Sequence, residues 1–184
     1  LGDVYKRQLH AFRCVPEGEV RAILQLSHGM VEFIDRYKPL AESLAQRGIL
    51  VTGNDHLGHG GSIRTKADYG YFAEPDGNRA VLEDLHSVTK LTKQLYPGVP
   101  YFLLGHSMGS FYARQYLCEY GQELSGAIIM GTGHQPKALV QFARSTCRAL
   151  AAVHGWQYRS KLVANLSFMG YNKGLELSLI HISE

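Results

Sequence analysis

The 184-residue chain has the length of one domain, an apolar share of 45% and no apolar run long enough to span a bilayer. Its formal charge of +3 comes without a basic block or an aromatic-interleaved basic stripe, which argues against a nucleic-acid partner. Cys14, Cys118 and Cys147 are odd in number and form no C-x-x-C pair, so the pattern argues against a disulfide framework or zinc site and fits a reducing, cytoplasmic setting.

The two ends read differently from the middle. Residues 1–8 are the translation of the DNA word CTCGGAGATGTGTATAAGAGACAG, and residues 177–184 translate its reverse complement. The word resembles the adapter a transposase leaves on sequencing-library fragments, so both ends are set aside as adapter-derived scars. Natural sequence is expected over residues 9–176, cut at both ends rather than started and stopped there; no secretory signal pattern is visible.

Leu9 to Val15 predicts the tail of a strand, closed by the turn Pro16-Glu17-Gly18-Glu19. Val20 to Ser27 predicts a second strand, and its nearly continuous apolar run suggests cover on both faces. After His28-Gly29-Met30, Leu40, Leu44 and Ala45 recur at helical spacing until Arg47-Gly48. Ile49 to Asn54 predicts a third strand, which empties into the glycine-rich loop from Asp55 to Ser62; Ile63 to Pro75 has no period and reads as loop.

Asn78 to Tyr96 predicts a helix with Val81, Leu82, Leu85, Val88, Leu91 and Leu95 on one stripe, ended by Pro97-Gly98. Tyr101 to Tyr112 predicts strand, sharp turn and helix, with the helix running to about Tyr120. Gly126 to Gly131 reads as a further buried strand, Gln135 to Val153 as a helix, and Gly155 to Glu176 as irregular. The alternation predicts an α/β fold with one doubly wound, mostly parallel sheet that lacks its C-terminal strands.

The turn carries the chemistry. In Gly105-His106-Ser107-Met108-Gly109 the serine sits at the apex, pushed out of the sheet plane, and glycines two residues either side leave room for a tight backbone and a close helix start. Ser107 is the candidate nucleophile. Its oxyanion donors are expected to be the backbone N–H of Met108, at the helix start, and of Met30, in the loop after an earlier strand. His28 is expected to fix that loop through hydrogen bonds, with Gly29 beside it, while His106 packs around the elbow.

Acyl transfer also needs a base and an orienting acid, which in this motif order follow the serine. Downstream of Ser107 the chain has no aspartate. Glu119 and Glu123 are too near it in sequence, Glu176 lies at the break, and His134 and His154 read more simply as loop or helix-surface residues. The triad acid and base are therefore expected to be absent. His56 and His59 read as structural rather than as a metal pair, because no third ligand accompanies them. Gly131-Thr132-Gly133 lacks the lysine of a phosphate loop and reads as a strand-end turn.

The order of three motifs is specific. His28-Gly29-Met30 with Glu32, Arg36 and Tyr37, then Asn54-Asp55-His56 with Gly58-His59-Gly60 and Ser62, then the Ser107 turn, resemble the α/β-hydrolase superfamily and within it the monoacylglycerol lipase and lysophospholipase branch. The resemblance covers most of residues 9–176. Phe33 stands where many members have histidine.

It implies a partial α/β-hydrolase domain from a serine esterase acting on acyl-ester lipids, with no metal or organic cofactor. It also implies a mobile cap starting near His134, holding Trp156 to Tyr171 and able to touch a membrane surface transiently. The rivals are a peptidase, thioesterase or acyltransferase of the same fold, or a noncatalytic binding domain. The 184-residue chain itself is expected to show negligible turnover and to fold poorly, because its sheet ends on an open edge.

Overall fold

A computed structural model describes residues 8–168. Its strands are β1 (Ala11–Cys14), β2 (Ala22–Ser27), β3 (Ile49–Asn54), β4 (Tyr101–His106) and β5 (Gly126–Met130). The helices are α1 (Lys38–Ala45), α2 (Gly77–Leu95), α3 (Met108–Tyr120), α4 (Lys137–His154) and α5 (Lys161–Phe168). The strands form one sheet in the order β1-β3-β2-β4-β5; β1 runs antiparallel to β3 and every other pairing is parallel.

This order makes the sheet doubly wound. The chain moves outward from β2 to β3, then crosses back over β2 to reach β4 and β5. Right-handed crossovers on opposite sides of β2 must lie on opposite faces. The two larger buried clusters agree: Leu24, Leu26, Val51 and Leu104 pack with Ala41 of α1 on one face, while Leu103 packs with Val81, Leu82 and Leu85 of α2 and Tyr112, Ala113 and Tyr116 of α3 on the other.

A polar network joins the second face. Buried Gln25 donates from Nε2 to Leu85 O at 2.9 Å, and its Oε1 accepts from Thr89 Oγ1 at 2.7 Å and Tyr101 Oη at 2.5 Å. Tyr116 Oη adds a bond to Thr89 Oγ1 at 3.0 Å. Every polar atom of Gln25 is thereby satisfied inside the core, where an unpaired one would be costly.

Four expectations need correction. Leu91 and Leu95 continue the apolar period of α2, yet they are 60% and 53% exposed; Thr89 and Thr92 are buried instead, because the helix turns its polar-threonine face onto the sheet network. The strand at Gly126–Met130 is half-exposed at Ile128 and Met130, since it is the outermost strand on its side. Lys161–Phe168 is helical rather than irregular. Lys66–Asp68 forms one helical turn within the expected loop, closed by a capping box between Thr65 and Asp68.

The chain divides after Gly133 into two compact units. The first contains the whole sheet, β1–β5, and α1–α3; the second contains α4 and α5. The expected end scars and residues 169–176 lie outside the described residues, apart from Gln8. No helix among the described residues is long and apolar enough to cross a membrane.

Candidate active site

The parallel strands end together, so the loops after β2, β3, β4 and β5 gather at one rim, the usual place for a site in this architecture. Two residues there hold backbone conformations that L side chains rarely adopt: Val31 in the loop after β2, with φ 61°, and Ser107 between β4 and α3, with φ 51° and ψ −116°. Among the described residues they are the only non-glycine residues with positive φ. Strain of this kind persists only where the surroundings enforce it, and it clusters at functional sites.

The enforcement at Ser107 is visible. Its N–H donates to Met130 O at 3.0 Å, and its carbonyl accepts from Ser110 N at 2.9 Å and Ser110 Oγ at 2.5 Å. Gly105 and Gly109 permit the close pass. A Cβ on Gly109 would overlap the carbonyl of Ser27, and one on Gly105 would meet Ala113 Cβ at 2.6 Å. The turn therefore requires glycine at both places.

The loop after β2 is built around His28, which is fully buried. Its Nε2 accepts from His56 N–H at 2.9 Å, which leaves Nδ1 to carry the proton and donate to Gly29 O at 2.7 Å. Burial pushes its pKa below the ordinary histidine value. His28 is thus neutral, and its 3.8 Å approach to Asp55 Oδ1 is not an ion pair. Asp55 instead accepts from Ile34 N and Gly61 N, both at 2.7 Å, tying the two rim loops together.

His56 packs on His28 with ring centroids 4.2 Å apart, and its Nε2 lies 3.1 Å from Ser27 Oγ and 3.2 Å from His28 O. Burial holds its pKa well below the ordinary value. His59 Nδ1 lies 3.0 Å from Leu57 O. These imidazoles are spent on loop structure. Among the described residues no group of three or more His, Cys, Asp or Glu is placed to hold a metal ion.

The structure brings Gly29 against Ser107: a Cβ on Gly29 would lie 3.2 Å from Ser107 Cβ. Met30 follows, 49% exposed, and makes no hydrogen bond among the described residues. Met108 opens α3, so its N–H has no partner four residues back and faces the positive end of the helix dipole. Downstream, Glu119 pairs with Arg79 and Glu123 lies 2.9 Å from His86 Nε2. His134 and His154 belong to the second unit.

One residue had no role in the sequence reading. Glu32, 11% exposed at its side chain, accepts at a single oxygen, Oε1, from Gly29 N–H, from Tyr37 Oη at 3.1 Å and from His106 Nδ1 at 3.0 Å. Arg36 Nη1 stands 3.8 Å from the other oxygen. Burial alone would raise the Glu32 pKa, but the His106 and Gly29 hydrogen bonds outweigh it and hold the carboxyl below its ordinary value. Its sequence signal was its place with Arg36 and Tyr37 in the first of the three motifs, to which no chemical role was attached.

The family profile of serine aminopeptidase, S33, matches residues 18–175, most of the chain. The chain belongs to the S33 family of α/β-hydrolases. Among curated members, it is 40% identical over 113 residues to a monoglyceride lipase homolog of Monkeypox virus, covering 60% of this chain and 38% of that one. It is 34% identical over 123 residues to the monoglyceride lipase of Homo sapiens, covering 62% and 36%. A probable lysophospholipase L2 of Haemophilus influenzae is 29% identical over 114 residues, covering 62% and 36%.

The S33 chain thus spans under two-fifths of the length of these relatives. Among solved structures, a thermostable carboxyl esterase from Bacillus coagulans, in complex with glycerol, superposes with a TM-score of 0.82 at 28% identity, covering 94% of this chain and 55% of that one. Both the α/β-hydrolase fold and the kinship with serine ester hydrolases follow.

Proposed function

We propose that this segment is the nucleophile-bearing part of a serine carboxylic-ester hydrolase that cleaves monoacylglycerols or lysophospholipids through an acyl-enzyme on Ser107. The observation that carries the reading is the strained Ser107 turn seated against the Gly29–Met30 loop. Kinship with monoglyceride lipases supports the substrate class.

In the proposed reaction Ser107 Oγ attacks the ester carbonyl carbon and gives its proton to a histidine base supplied by a part of the parent protein outside this segment. The tetrahedral oxyanion takes hydrogen bonds from Met30 N–H and Met108 N–H, donors already aimed before charge develops. Collapse expels the alcohol, which recovers the proton from that histidine; water then attacks the acyl-Ser107 ester by the same route in reverse. The 184-residue chain, with no aspartate after Ser107, turns over negligibly by itself.

The second unit would form the cap and meet the lipid. Leu139, Val140, Phe142 and Trp156 are exposed there, and residues 134–174 contain lysines and arginines but no acidic residue, a composition suited to transient contact with an anionic membrane surface. The free cysteines Cys14, Cys118 and Cys147 suit a reducing compartment.

A peptidase is the second reading, favoured by the S33 family's own description as serine aminopeptidase. Recovering the reading frame past residue 176 and assaying the full-length parent decides between them. Hydrolysis of monoacylglycerol or lysophospholipid that disappears in Ser107→Ala supports the proposal. Cleavage of aminoacyl amides alone, or a parent frame with no downstream acid and histidine, overturns it.

A further inference from the structure

We propose that Glu32 is a positioning residue that locks the Gly29–Met30 peptide to the nucleophile elbow by accepting from Gly29 N–H and His106 Nδ1–H at one carboxylate oxygen. The inference rests on the reading of Met30 as an oxyanion donor and explains how that donor is aimed.

The Gly29–Met30 peptide is gripped at its carbonyl. Gly29 O accepts from His28 Nδ1–H at 2.7 Å, and in a planar trans peptide the following N–H points the opposite way. The direction of Met30 N–H is therefore set by His28, provided the peptide plane cannot swing. Glu32 prevents the swing one bond earlier, because it holds Gly29 N–H at Oε1. Gly29's own amide is consumed in this contact and turned away from the oxyanion, which leaves Met30 N–H as the next free donor of the loop.

The same oxygen reaches across to the elbow. His106 directly precedes Ser107 and donates to Glu32 Oε1 at 3.0 Å, so the loop and the nucleophile are referred to one atom although they lie 74 residues apart in pairing terms. Tyr37 Oη supplies a third donor at 3.1 Å and also lies 3.3 Å from His106 Nδ1. Three donors on one oxygen suit an ionised carboxylate and no neutral side chain of that size. The groups facing Glu32 are His106, Tyr37, Gly29 N–H and the Arg36 guanidinium. Tyr37 also packs against the core beneath α1, and His106 pairs with Met130 in the sheet, so Glu32 is the member of the cluster that can be changed with least effect on the fold.

Wild-type protein alone gives the first test. Side-chain ¹⁵N spectra of histidine-labelled chain should show the His106 ring carrying a proton at Nδ1; a ring with Nδ1 unprotonated would overturn the proposal. In Glu32→Ala, exchange of the Gly29 amide should rise by about tenfold, the equilibrium weight of one net hydrogen bond. In the full-length parent, the same variant should lower kcat roughly tenfold to a hundredfold with KM changed by less than about twofold, the pattern of a misaimed oxyanion donor.

Glu32→Gln keeps an acceptor oxygen and should recover part of kcat and of the Gly29 protection, which also covers the case in which the alanine variant does not fold. Unchanged kcat and unchanged exchange in a folded Glu32→Ala or Glu32→Gln protein would sink the idea. Failure of the proposed function reads differently: the parent would hydrolyse no ester, while the His106 tautomer and Gly29 protection would stand as described.

Discussion

The amide of Ser107 donates to the carbonyl of Met130 at 3.0 Å, so the Ser107 turn hangs on the end of β5 as well as on its own helix. Held this way, Ser107 stays at φ 51° and ψ −116°, a conformation costing about 1–3 kcal/mol for a residue with a side chain. Replacing Ser107 by glycine removes that strain. After the entropy glycine adds to the unfolded chain, Ser107→Gly should remain more stable than Ser107→Ala by roughly 1 kcal/mol. Urea unfolding of the two variants measures the difference, and a more stable alanine variant would show the turn to be unstrained.

Gly109 lies beneath the carbonyl of Ser27, where no Cβ fits. Gly109→Ala should destabilise the fold by about 3 kcal/mol, because the obstacle is backbone and cannot rotate aside. Gly18, with open space around it, is the control: Gly18→Ala should stay within about 0.5 kcal/mol of wild type. Equal denaturation midpoints for the two variants would contradict the close contact.

Leu85 and Leu91 share an apolar period on α2 but not an environment. Leu85 is fully buried in the cluster with Tyr112 and Tyr116, so Leu85→Ala should cost about 2–5 kcal/mol. Leu91 is 60% exposed, and Leu91→Lys should change stability by no more than about 0.5 kcal/mol. Thermal unfolding of both variants tests this pairing; a large loss at Leu91 would place it in a contact the fold does not show.

Burial lowers the pKa of His28 and, more strongly, of His56 from the ordinary 6.5. The unfolded chain takes up protons at these residues near that pH while the folded chain resists them. Their contribution is therefore complete above pH 6.5 and is lost as pH falls below it, at about 1.4 kcal/mol per pH unit for each histidine that stays neutral. Urea midpoints should fall steadily as the pH is lowered from about 7 to about 5. A flat profile over that range would mean that the pair titrates in the folded protein as it does in the unfolded chain.

The strands were legible because their signals are local. Ile49–Asn54 is an apolar run bounded by Gly48 and keeps its expected limits; the strand expected to open at Tyr101, after Pro97-Gly98, does so, and runs on through Gly105 to His106, where the turn was expected to have begun. Helical period was less reliable: Leu91 and Leu95 hold the period of α2, but the helix turns Thr89 and Thr92 to the sheet in their place. Lys161–Phe168 was missed because glycine, aromatic and basic residues before it mask its onset.

At the site, glycine spacing exposed the Ser107 turn, since that requirement is written within five residues. The Glu32–His106 hydrogen bond joins positions 74 residues apart, and nothing local in either segment announces the other. Exposure of Ile128 and Met130 is likewise a property of strand order, which composition does not encode.

The backbone angles of Ser107 have a stereochemical meaning. They are close to the mirror image of an ordinary extended residue, so a D-amino acid would occupy the turn at ease. A D-serine there, however, would exchange the directions of its side chain and its Cα hydrogen, moving the hydroxyl from its present direction into the space the hydrogen now fills. The direction of the hydroxyl is set by a residue of the wrong hand for its backbone, and chirality, as much as sequence, aims the candidate nucleophile.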